Sequence, residues 1–334
     1  MARVFVGLSG GVDSALSAYL LREEGHEVTG VFIRSWEPDF LPCTGAADRL
    51  SAMQVAAHLS IPFRTYDLAE AYKTSVVDAF ISEYRAGRTP NPDVLCNRFV
   101  KFGAAWELAR AEGAEYFATG HYADTNGTVL RAARDSSKNQ TYFLWTLTQQ
   151  DLAHTLFPLG KMHKSEVRAR ARRVRLPNAL RKDSQGLCFL GAVDMRSFLK
   201  RYLPEDPGPI VMEDGRVVGE HEGSWFYTLG QHVSGRSQER LYVIQKRGNE
   251  LVVRTRPTPP AEATTCTLVG ESYVSGQPPQ GVVRAEYRYH GPHIRATIEN
   301  SVVTFEKPVL VAAGQSVVFY DQQGVVCYGG GVVA

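Results

Sequence analysis

The residues Ser9-Gly10-Gly11-Val12-Asp13-Ser14 have the types and spacing needed to hold an anion. They follow an apolar run that predicts a buried strand and precede a segment with helical spacing. Glycines let backbone N–H groups turn toward an anion, and the N-terminus of the next helix adds the positive end of its dipole. Ser9 and Ser14 can donate hydroxyls to phosphate, and Asp13 is a candidate magnesium ligand. The sequence predicts a phosphate-binding loop, the alternative being an ordinary glycine turn.

Two thiols have surroundings that favour reactivity, among five cysteines at 43, 96, 188, 266 and 327. Prolines on both sides of Asn91 predict an extended segment and a helix from about Asn97, which places Cys96 near a helix N-terminus, where a thiolate is stabilised. Cys188 follows a basic stretch, which also favours the thiolate. The alternative for each is a small buried apolar residue. No Cys-x-x-Cys occurs, so neither zinc nor a cysteine-held iron–sulfur cluster is predicted.

The elements that position these residues change in type along the chain. Up to about residue 203, strand-like and helix-like runs alternate, which predicts an α/β domain with a parallel sheet covered by helices on both faces. Its strands would present the loop, and later Gly120 and His121, at their carboxyl ends. After Pro204–Pro209, helical spacing gives way to short β-type runs, among them Val309–Val311. These predict a small β-rich middle domain, 204–258, and a C-terminal β-barrel, 259–334.

Bulk composition is that of a soluble globular protein, with 44% hydrophobic and 22% charged residues in 334. The longest apolar runs fall short of 18 residues, so neither a membrane span nor a membrane partner is expected, and the first strand starts too early for a leader peptide. A cytoplasmic location is therefore expected. Net charge is only +2, but nine Lys or Arg between Lys161 and Lys182 face one acid, Glu166. This run favours either contact with phosphate backbones or a solvated helix face.

Six motifs in order along the chain carry a resemblance to a known family. They are Ser9–Ser14, Thr89–Asn97, Ala118–Tyr122, Lys182–Gly191, Tyr227–Gln231 and Tyr328–Gly331. The first resembles the pyrophosphate loop (PP-loop) of the ATP pyrophosphatases, and together the six resemble the bacterial tRNA-specific 2-thiouridylase (MnmA) family. The resemblance implies ATP-dependent adenylation of the C2 oxygen of the wobble uridine, then sulfur transfer from a cysteine persulfide. The products are 2-thiouridine, AMP and pyrophosphate.

The resemblance also implies roles for individual residues. Cys188 carries the persulfide, Cys96 forms a disulfide with it or liberates its terminal sulfur, and Asp93 is the candidate acid/base. The positions implied to bind ATP are Gly7, Leu8, Ser9, Gly10, Gly11, Val12, Asp13, Ser14, Ile33 and Gly120. Those implied to contact the target base are Asn91, Pro92 and Asp93, and those implied to contact tRNA elsewhere are His121, Lys138, Asn139, Gln140, Arg288, Tyr289 and Gln315. Implied cofactors and partners are ATP, Mg²⁺ accompanying it, the anticodon loops of tRNAs for Lys, Glu and Gln, and a sulfur-relay protein or cysteine desulfurase.

The chain departs from the family pattern at three places. Asn139 replaces the usual aspartate, His232 replaces an arginine, and the glycine-rich stretch after it is trimmed to Val233–Arg236. Two rival functions are consistent with the loop alone. One is another AMP-forming PP-loop synthetase acting on a small molecule, which needs no cysteine pair. The other is an RNA-binding module without sulfur chemistry, which needs no ATP turnover.

Overall fold

The computed structural model describes residues 1–40, 45–182, 195–233, 240–256, 258 and 263–334. The helices are α1 (Val12–Glu23), α2 (Gly45–His58), α3 (Ala69–Tyr72), α4 (Ala79–Arg85), α5 (Pro92–Leu95), α6 (Ala105–Ala111), α7 (Gln149–Leu152), α8 (Lys164–Arg173) and α9 (Met195–Leu199). The π-helical stretches Lys73–Asp78 and Cys96–Ala104 join α3 to α4 and α5 to α6. Single 3₁₀ turns lie at Thr141–Phe143 and Ser224–Phe226. None of the helices in these ranges has the length and apolar character to span a bilayer.

Three sheets organise the chain. The strands are β1 (Arg3–Gly7), β2 (Glu27–Arg34), β3 (Phe63–Asp67), β4 (Tyr116–Ala118), β5 (Ala123–Thr125), β6 (Leu130–Ala132), β7 (Thr155–Leu156), β8 (Gly208–Met212), β9 (Val217–His221), β10 (His232–Val233), β11 (Leu241–Arg247), β12 (Glu250–Arg254), β13 (Thr265–Tyr273), β14 (Val283–Glu286), β15 (Ile294–Glu299), β16 (Val302–Phe305), β17 (Ser316–Tyr320) and β18 (Val326–Val333). The first sheet is parallel, in the order β3-β2-β1-β4-β7. This confirms the predicted N-terminal α/β fold.

Alternate residues of β1 supply two separate apolar cores. Val4 and Val6 pack on the face covered by α1, α2 and α8, whereas Phe5 packs on the face covered by the two composite helices, α3–α4 and α5–α6. Side chains of a strand point alternately to opposite faces, so a strand buried on both faces reads as a continuous apolar run. The sheet is therefore the middle layer of three, and its edges are where polar groups can gather.

The second half of the chain is β-structure, as predicted. Strands in the order β10-β11-β12-β8-β9 form a small sheet, and the turn Gly248–Asn249 joins β11 to β12. Six antiparallel strands, β13 to β18, close into a barrel through the pairing of β13 with β18. The N-terminal hairpin β5–β6 adds to this barrel, because β6 pairs with β18. The apolar core around Phe5 continues into both β-sheets, so the three parts pack as one body.

Two local predictions were wrong. A helix starts at Pro92, not near Asn97, because proline suits the first helical position and the Asn91 side chain accepts a hydrogen bond from the Asp93 N–H at 3.2 Å. The run Val309–Val311 is not a strand. It follows Pro308, which cannot donate to a ladder.

Candidate active site

The parallel sheet places a crevice beside the predicted loop. β1 lies in the centre, with β2 on one side and β4 on the other, so the strand order reverses at β1. Open α/β sheets bind ligands where this reversal occurs, outside the carboxyl ends of the strands. Gly7 ends β1, the half-buried Ile33 lies near the end of β2, and Gly120 follows β4. The predicted nucleotide-binding positions therefore share one edge of the sheet.

The carbonyl of Gly10 is held by three donors from distant parts of the chain. Ser51 Oγ, Asn178 Nδ2 and Arg181 Nη1 donate to it at 2.9, 2.8 and 3.2 Å. Gly10 has φ of +78°, and a Cβ there would lie 2.6 Å from the Asp48 carbonyl oxygen. Only glycine satisfies both conditions. Holding this carbonyl on the protein side leaves the opposite side of the loop to N–H and hydroxyl groups, which suits an anion.

The two serines and Gly11 form the mouth of the loop. The hydroxyls of Ser9 and Ser14 lie 3.2 Å apart, and Ser14 Oγ donates to the Gly11 carbonyl at 3.1 Å. Gly11 is the N-cap residue of α1 and brings no side chain to cap it, so the N–H groups of the first turn, beginning with the buried Val12, stay available as donors. The buried Leu8 extends the sheet by donating to Val31 at 2.7 Å. The loop has the donors a phosphate needs.

Gly120 allows the β4 end of the sheet to touch the first turn of α1. A Cβ at Gly120 would lie 2.7 Å from the Ser14 nitrogen. Any side chain there would push these two backbone segments apart. Gly120 therefore closes one wall of the crevice.

Asp13 is bound by protein donors. Lys164 Nζ donates to both carboxylate oxygens at 2.7 Å, and the Tyr122 hydroxyl donates to one of them at 3.0 Å. With Lys164 in this position, Asp13 does not fit the role of a magnesium ligand. In the described ranges, no three His, Cys, Asp or Glu side chains are grouped to hold a metal ion.

His121 lies between this crevice and the helix that carries Cys96. Its Nδ1 is 2.8 Å from the Thr119 hydroxyl, and its ring packs against Phe102 and Phe157 at centroid distances of 6.0 and 6.2 Å. Burial, with a smaller effect of Lys101, lowers the pKa of His121 well below its usual value. At neutral pH the ring is uncharged, so any RNA contact it makes is a neutral hydrogen bond or a stacking contact.

The predicted tRNA contacts at 138–140 form a tight loop. Gln140 Oε1 accepts from the Tyr122 N–H at 2.9 Å, and Asn139 Oδ1 accepts from the Ala133 N–H at 3.1 Å. The Lys138 N–H donates to the Asp135 carbonyl at 3.0 Å. The acceptor oxygens of Asn139 and Gln140 thus shape the loop. An RNA contact by these residues remains a prediction.

Cys96 is buried inside a composite helix. It follows α5 and opens the π-helical stretch, with 3% of its surface exposed. The expectation that it sits at a helix N-terminus was therefore wrong, since α5 starts four residues earlier. Asn91, Pro92 and Asp93 form the first turn. Cys188 lies outside the described residues, so its distance from Cys96 remains untested.

Aromatic side chains from the barrel and the N-terminal domain meet beside this first turn. Tyr289 packs on Phe143 at a centroid distance of 4.3 Å and on His290 at 4.0 Å. Burial raises the pKa of Tyr289, and the charges of Glu286 and Asp93 raise it further. Asn97 Nδ2 donates to the Phe143 carbonyl at 2.9 Å. The two predicted residues Asp93 and Tyr289 therefore lie within electrostatic range of each other.

Arg288 and Gln315 are the other two barrel residues predicted to contact tRNA. Arg288 precedes Tyr289 and is exposed, and Gln315 Nε2 donates to the Thr89 carbonyl at 2.6 Å. Sequence reasoning did not single out Phe143, His290 or Tyr122. Both Tyr122 and Phe143 could have been found from the sequence. Tyr122 ends the Ala118–Tyr122 motif, and Phe143 lies in the run 137–144, which is polar at its start and aromatic at its end. His290 is exposed in the turn after β14, and the sequence carries no such signal for it.

The basic run divides into two groups. Lys164, Arg170 and Arg181 form ion pairs with Asp13, Glu23 and Asp48, and Arg168 donates to the Ala179 carbonyl. The five exposed members are Lys161, Arg172, Arg173, Arg175 and Lys182. The first group stabilises the loop and the helices next to it. The exposed group remains a candidate for contact with RNA phosphates.

Three family models match successive parts of the chain. The chain matches family models described as the tRNA methyl transferase HUP domain at 2–192, the tRNA methyl transferase PRC-barrel domain at 196–254 and the aminomethyltransferase beta-barrel domain at 263–333. Among solved structures, the U34-tRNA thiolase NcsA from Methanococcus maripaludis has a TM-score of 0.39 at 17% identity, over 60% of this chain and 63% of that one. This likeness is too low to bear on function. The predicted domain bounds at 203 and 258 stay a prediction.

Full-length relatives are more similar. The tRNA-specific 2-thiouridylase MnmA of Thiobacillus denitrificans is 44% identical over 356 residues, covering 99% of each chain. The protein of that name from Photorhabdus laumondii is 42% identical, over 99% of this chain and 96% of its own. Similarity of this degree from end to end, on the fold and loop described above, shows that the chain belongs to the tRNA-specific 2-thiouridylase (MnmA) family, a family of tRNA sulfurtransferases.

Proposed function

We propose that the protein converts the wobble uridine of tRNA to 2-thiouridine, using ATP and a persulfide sulfur. The observation that carries the proposal is the short connection between the loop and the Cys96 helix. The Asp13 carboxylate accepts from Tyr122, Tyr122 is bound to Gln140, and Phe143, three residues on, binds Asn97. The residues proposed to activate ATP and those proposed to transfer sulfur are thus joined by a short chain of contacts.

The activation step takes place at the loop. The first-turn N–H groups of α1 and the hydroxyls of Ser9 and Ser14 bind the phosphates of ATP, supported by the fixed Gly10 carbonyl. The C2 oxygen of uridine attacks the α-phosphorus and pyrophosphate leaves. AMP then remains on that oxygen and makes it a good leaving group. The Asp13 carboxylate is bound to Lys164, so it does not serve as a ligand for the Mg²⁺ that accompanies ATP.

Sulfur then replaces the activated oxygen. The terminal sulfur of a Cys188 persulfide attacks C2, and AMP departs with the oxygen. The Cys96 thiolate next attacks the inner sulfur of Cys188, which forms a Cys96–Cys188 disulfide and leaves the outer sulfur on the base. In the alternative order, Cys96 attacks first and the released sulfide attacks C2. Both routes need a thiol reductant before the next turnover, and both require the buried Cys96 to become accessible.

The target base is held where the barrel meets α5. Asn91, Pro92 and Asp93 form one wall, and the Tyr289–Phe143 pair offers a stacking surface. Asp93 serves as acid/base. The exposed basic residues of the 161–182 run support contact with the phosphates of an anticodon loop. The sulfur-relay protein or cysteine desulfurase that loads Cys188, and the tRNAs for Lys, Glu and Gln, are the proposed partners.

The deciding experiment is mass spectrometry of anticodon nucleosides. Purified protein is incubated with unmodified tRNA, ATP and a persulfide donor, and 2-thiouridine is expected only when all are present. Cys188→Ser should abolish it while ATP and tRNA still bind, and Cys266→Ser is the matched control that keeps it. The same measurement separates sulfur incorporation from methylation, the modification named by two family-model descriptions.

The rivals predict other outcomes. A small-molecule synthetase would release AMP without tRNA, and its activity would survive loss of both Cys96 and Cys188. An RNA-binding module would bind tRNA but release no AMP. Unchanged 2-thiouridine formation by Cys188→Ser would overturn the sulfur assignment. Steep salt dependence of tRNA affinity is expected in addition, because phosphate contacts release counterions.

A further inference from the structure

All three parts of the chain meet at Thr89, which lies between α4 and α5. From the barrel, the Ala313 carbonyl accepts the Thr89 N–H at 2.8 Å, and Gln315 Nε2 donates to the Thr89 carbonyl at 2.6 Å. From the middle sheet, Thr228 Oγ1 lies 3.0 Å from Thr89 Oγ1. Every polar group of Thr89 is thus bound by another part of the chain.

The contact of the middle domain with Thr89 comes from one hydrogen-bonded turn, residues 228–231. The Thr228 N–H donates to Gln231 Oε1, and the Gln231 N–H donates back to the Thr228 carbonyl, both at 3.0 Å. Gly230, with φ of +83°, donates to the Val243 carbonyl at 2.7 Å and thereby ties the turn to β11. This is the Tyr227–Gln231 motif, for which neither the phosphate loop nor the thiols provide a role.

The same strand supplies a second contact. Lys246, near the end of β11, donates its Nζ to the Gly87 carbonyl at 3.0 Å. Two contacts from β11 and its turn therefore fix two points of the segment between α4 and α5. A segment held at two points has little freedom to rotate about its axis.

The held segment leads directly into the base-binding turn. Thr89 is two residues before Asn91, whose side chain caps α5, and four before Asp93. Pro90 and Pro92 stiffen the intervening backbone, because each fixes φ. A displacement of Thr89 therefore also displaces Asp93.

We propose that Thr228 is a positioning residue, through which the middle sheet sets the placement of the Asn91–Cys96 segment for reaction. The proposal deepens the proposed function and rests on it. Thr228 acts through Thr89 and touches neither substrate, so its loss should affect the chemical step more than ATP binding. Small misplacements of reacting groups lower rates without removing binding.

The test compares four variants: Thr228→Val, Thr228→Ser, Thr89→Val and the Thr89→Val/Thr228→Val pair. Thr228→Val should lower kcat for 2-thiouridine formation about tenfold and leave KM for ATP within about twofold. Thr228→Ser restores the hydroxyl and should recover most of the rate. The double variant should be no slower than the slower single one, because both remove the same hydrogen bond. Thr258→Val is the matched control, since it removes a hydrogen bond with Arg254 in the same region.

A second readout does not depend on activity. In hydrogen exchange of the free protein, amides of residues 91–97 should exchange faster in Thr228→Val than in wild type, and Thr258→Val should match wild type. The proposal would be overturned if Thr228→Val had the wild-type kcat. It would also be overturned if the rate loss of the double variant equalled the product of the losses of the two single variants. Absence of 2-thiouridine from wild type would instead refute the proposed function. The exchange data would then still decide whether Thr228 positions the segment.

Discussion

Lys164 on α8 and Asp13 on α1 form an ion pair at the predicted phosphate-binding loop, with Nζ 2.7 Å from both carboxylate oxygens. The lysine side chain is only 14% exposed and the aspartate 31%. The contact joins a residue of the loop to a helix about 150 positions later in the chain. It places a compensating cation beside the one acid of the loop, at the position proposed for the phosphates of ATP.

Replacing this lysine should weaken ATP binding. In Lys164→Met, Asp13 keeps the Tyr122 hydroxyl but loses its cation, and the uncompensated carboxylate repels the phosphates. We expect the Kd for ATP to rise at least about tenfold, as for other partly buried charge pairs. Calorimetric titration measures it. Lys161→Met, at an exposed lysine of the same basic run, is the control and should bind as wild type.

A double variant separates charge compensation from direct contact. If Lys164 acts through Asp13, Asp13→Asn combined with Lys164→Met should bind ATP no worse than Lys164→Met alone. Additive losses would mean that the lysine contacts the nucleotide itself. Wild-type affinity in Lys164→Met would show that the pair has no part in binding.

The backbone of the loop should tolerate no side chain at Gly10. Gly25→Ala is a matched comparison, because both glycines have positive φ, but a Cβ at Gly25 would meet nothing within 4 Å. Gly25→Ala should cost about 1 kcal/mol of unfolding free energy from conformation alone. Gly10→Ala should cost about 2 kcal/mol more, because its Cβ would collide with the Asp48 carbonyl. Urea unfolding curves measure both, and equal costs would contradict the collision.

The loop could be predicted from sequence because its signal is local. Strand, glycine pair, hydroxyls and helix follow one another within 20 residues, and each has a physical preference that is independent of the rest of the chain. The donors that fix Gly10 could not be found this way. Ser51, Asn178 and Arg181 come from distant positions, and ordinary helix or loop residues give no sign that they converge.

The start of the Cys96 helix shows a different limit. The two prolines around Asn91 argue against a helix when the pattern is taken alone, although proline at the first helical position leaves no intrahelical bond unmade. The packing of Tyr289 on Phe143 depends on how the barrel docks, which no local pattern encodes. The resemblance to a family supplied Asp93 and Tyr289 as site residues, and physical reasoning from the sequence alone did not.

The two remaining described cysteines should be unreactive. Burial raises the pKa of Cys266 to about 11 and that of Cys327 to about 12, so both stay protonated at neutral pH. The thiolate is the nucleophile, so neither suits sulfur transfer. Cys266→Ala and Cys327→Ala should each keep 2-thiouridine formation, and iodoacetamide at neutral pH should label both slowly in the native protein. Loss of thiolation in a folded Cys266→Ala variant would contradict this assignment.

His121 should make the fold sensitive to mild acid. Its pKa lies well below 6.5 in the folded protein because burial disfavours the charged ring, whereas the unfolded chain titrates near 6.5. Between these two values the unfolded state binds more protons, so stability is fully present above pH 6.5 and falls as the pH drops toward the folded pKa. His121→Gln removes this titration and should flatten the loss measured by urea unfolding across that window. Burial also lowers the pKa of His221. Because His221 is present in both wild type and variant, its effect cancels when their stabilities are subtracted. Parallel pH profiles for wild type and variant would mean that the ring is hydrated.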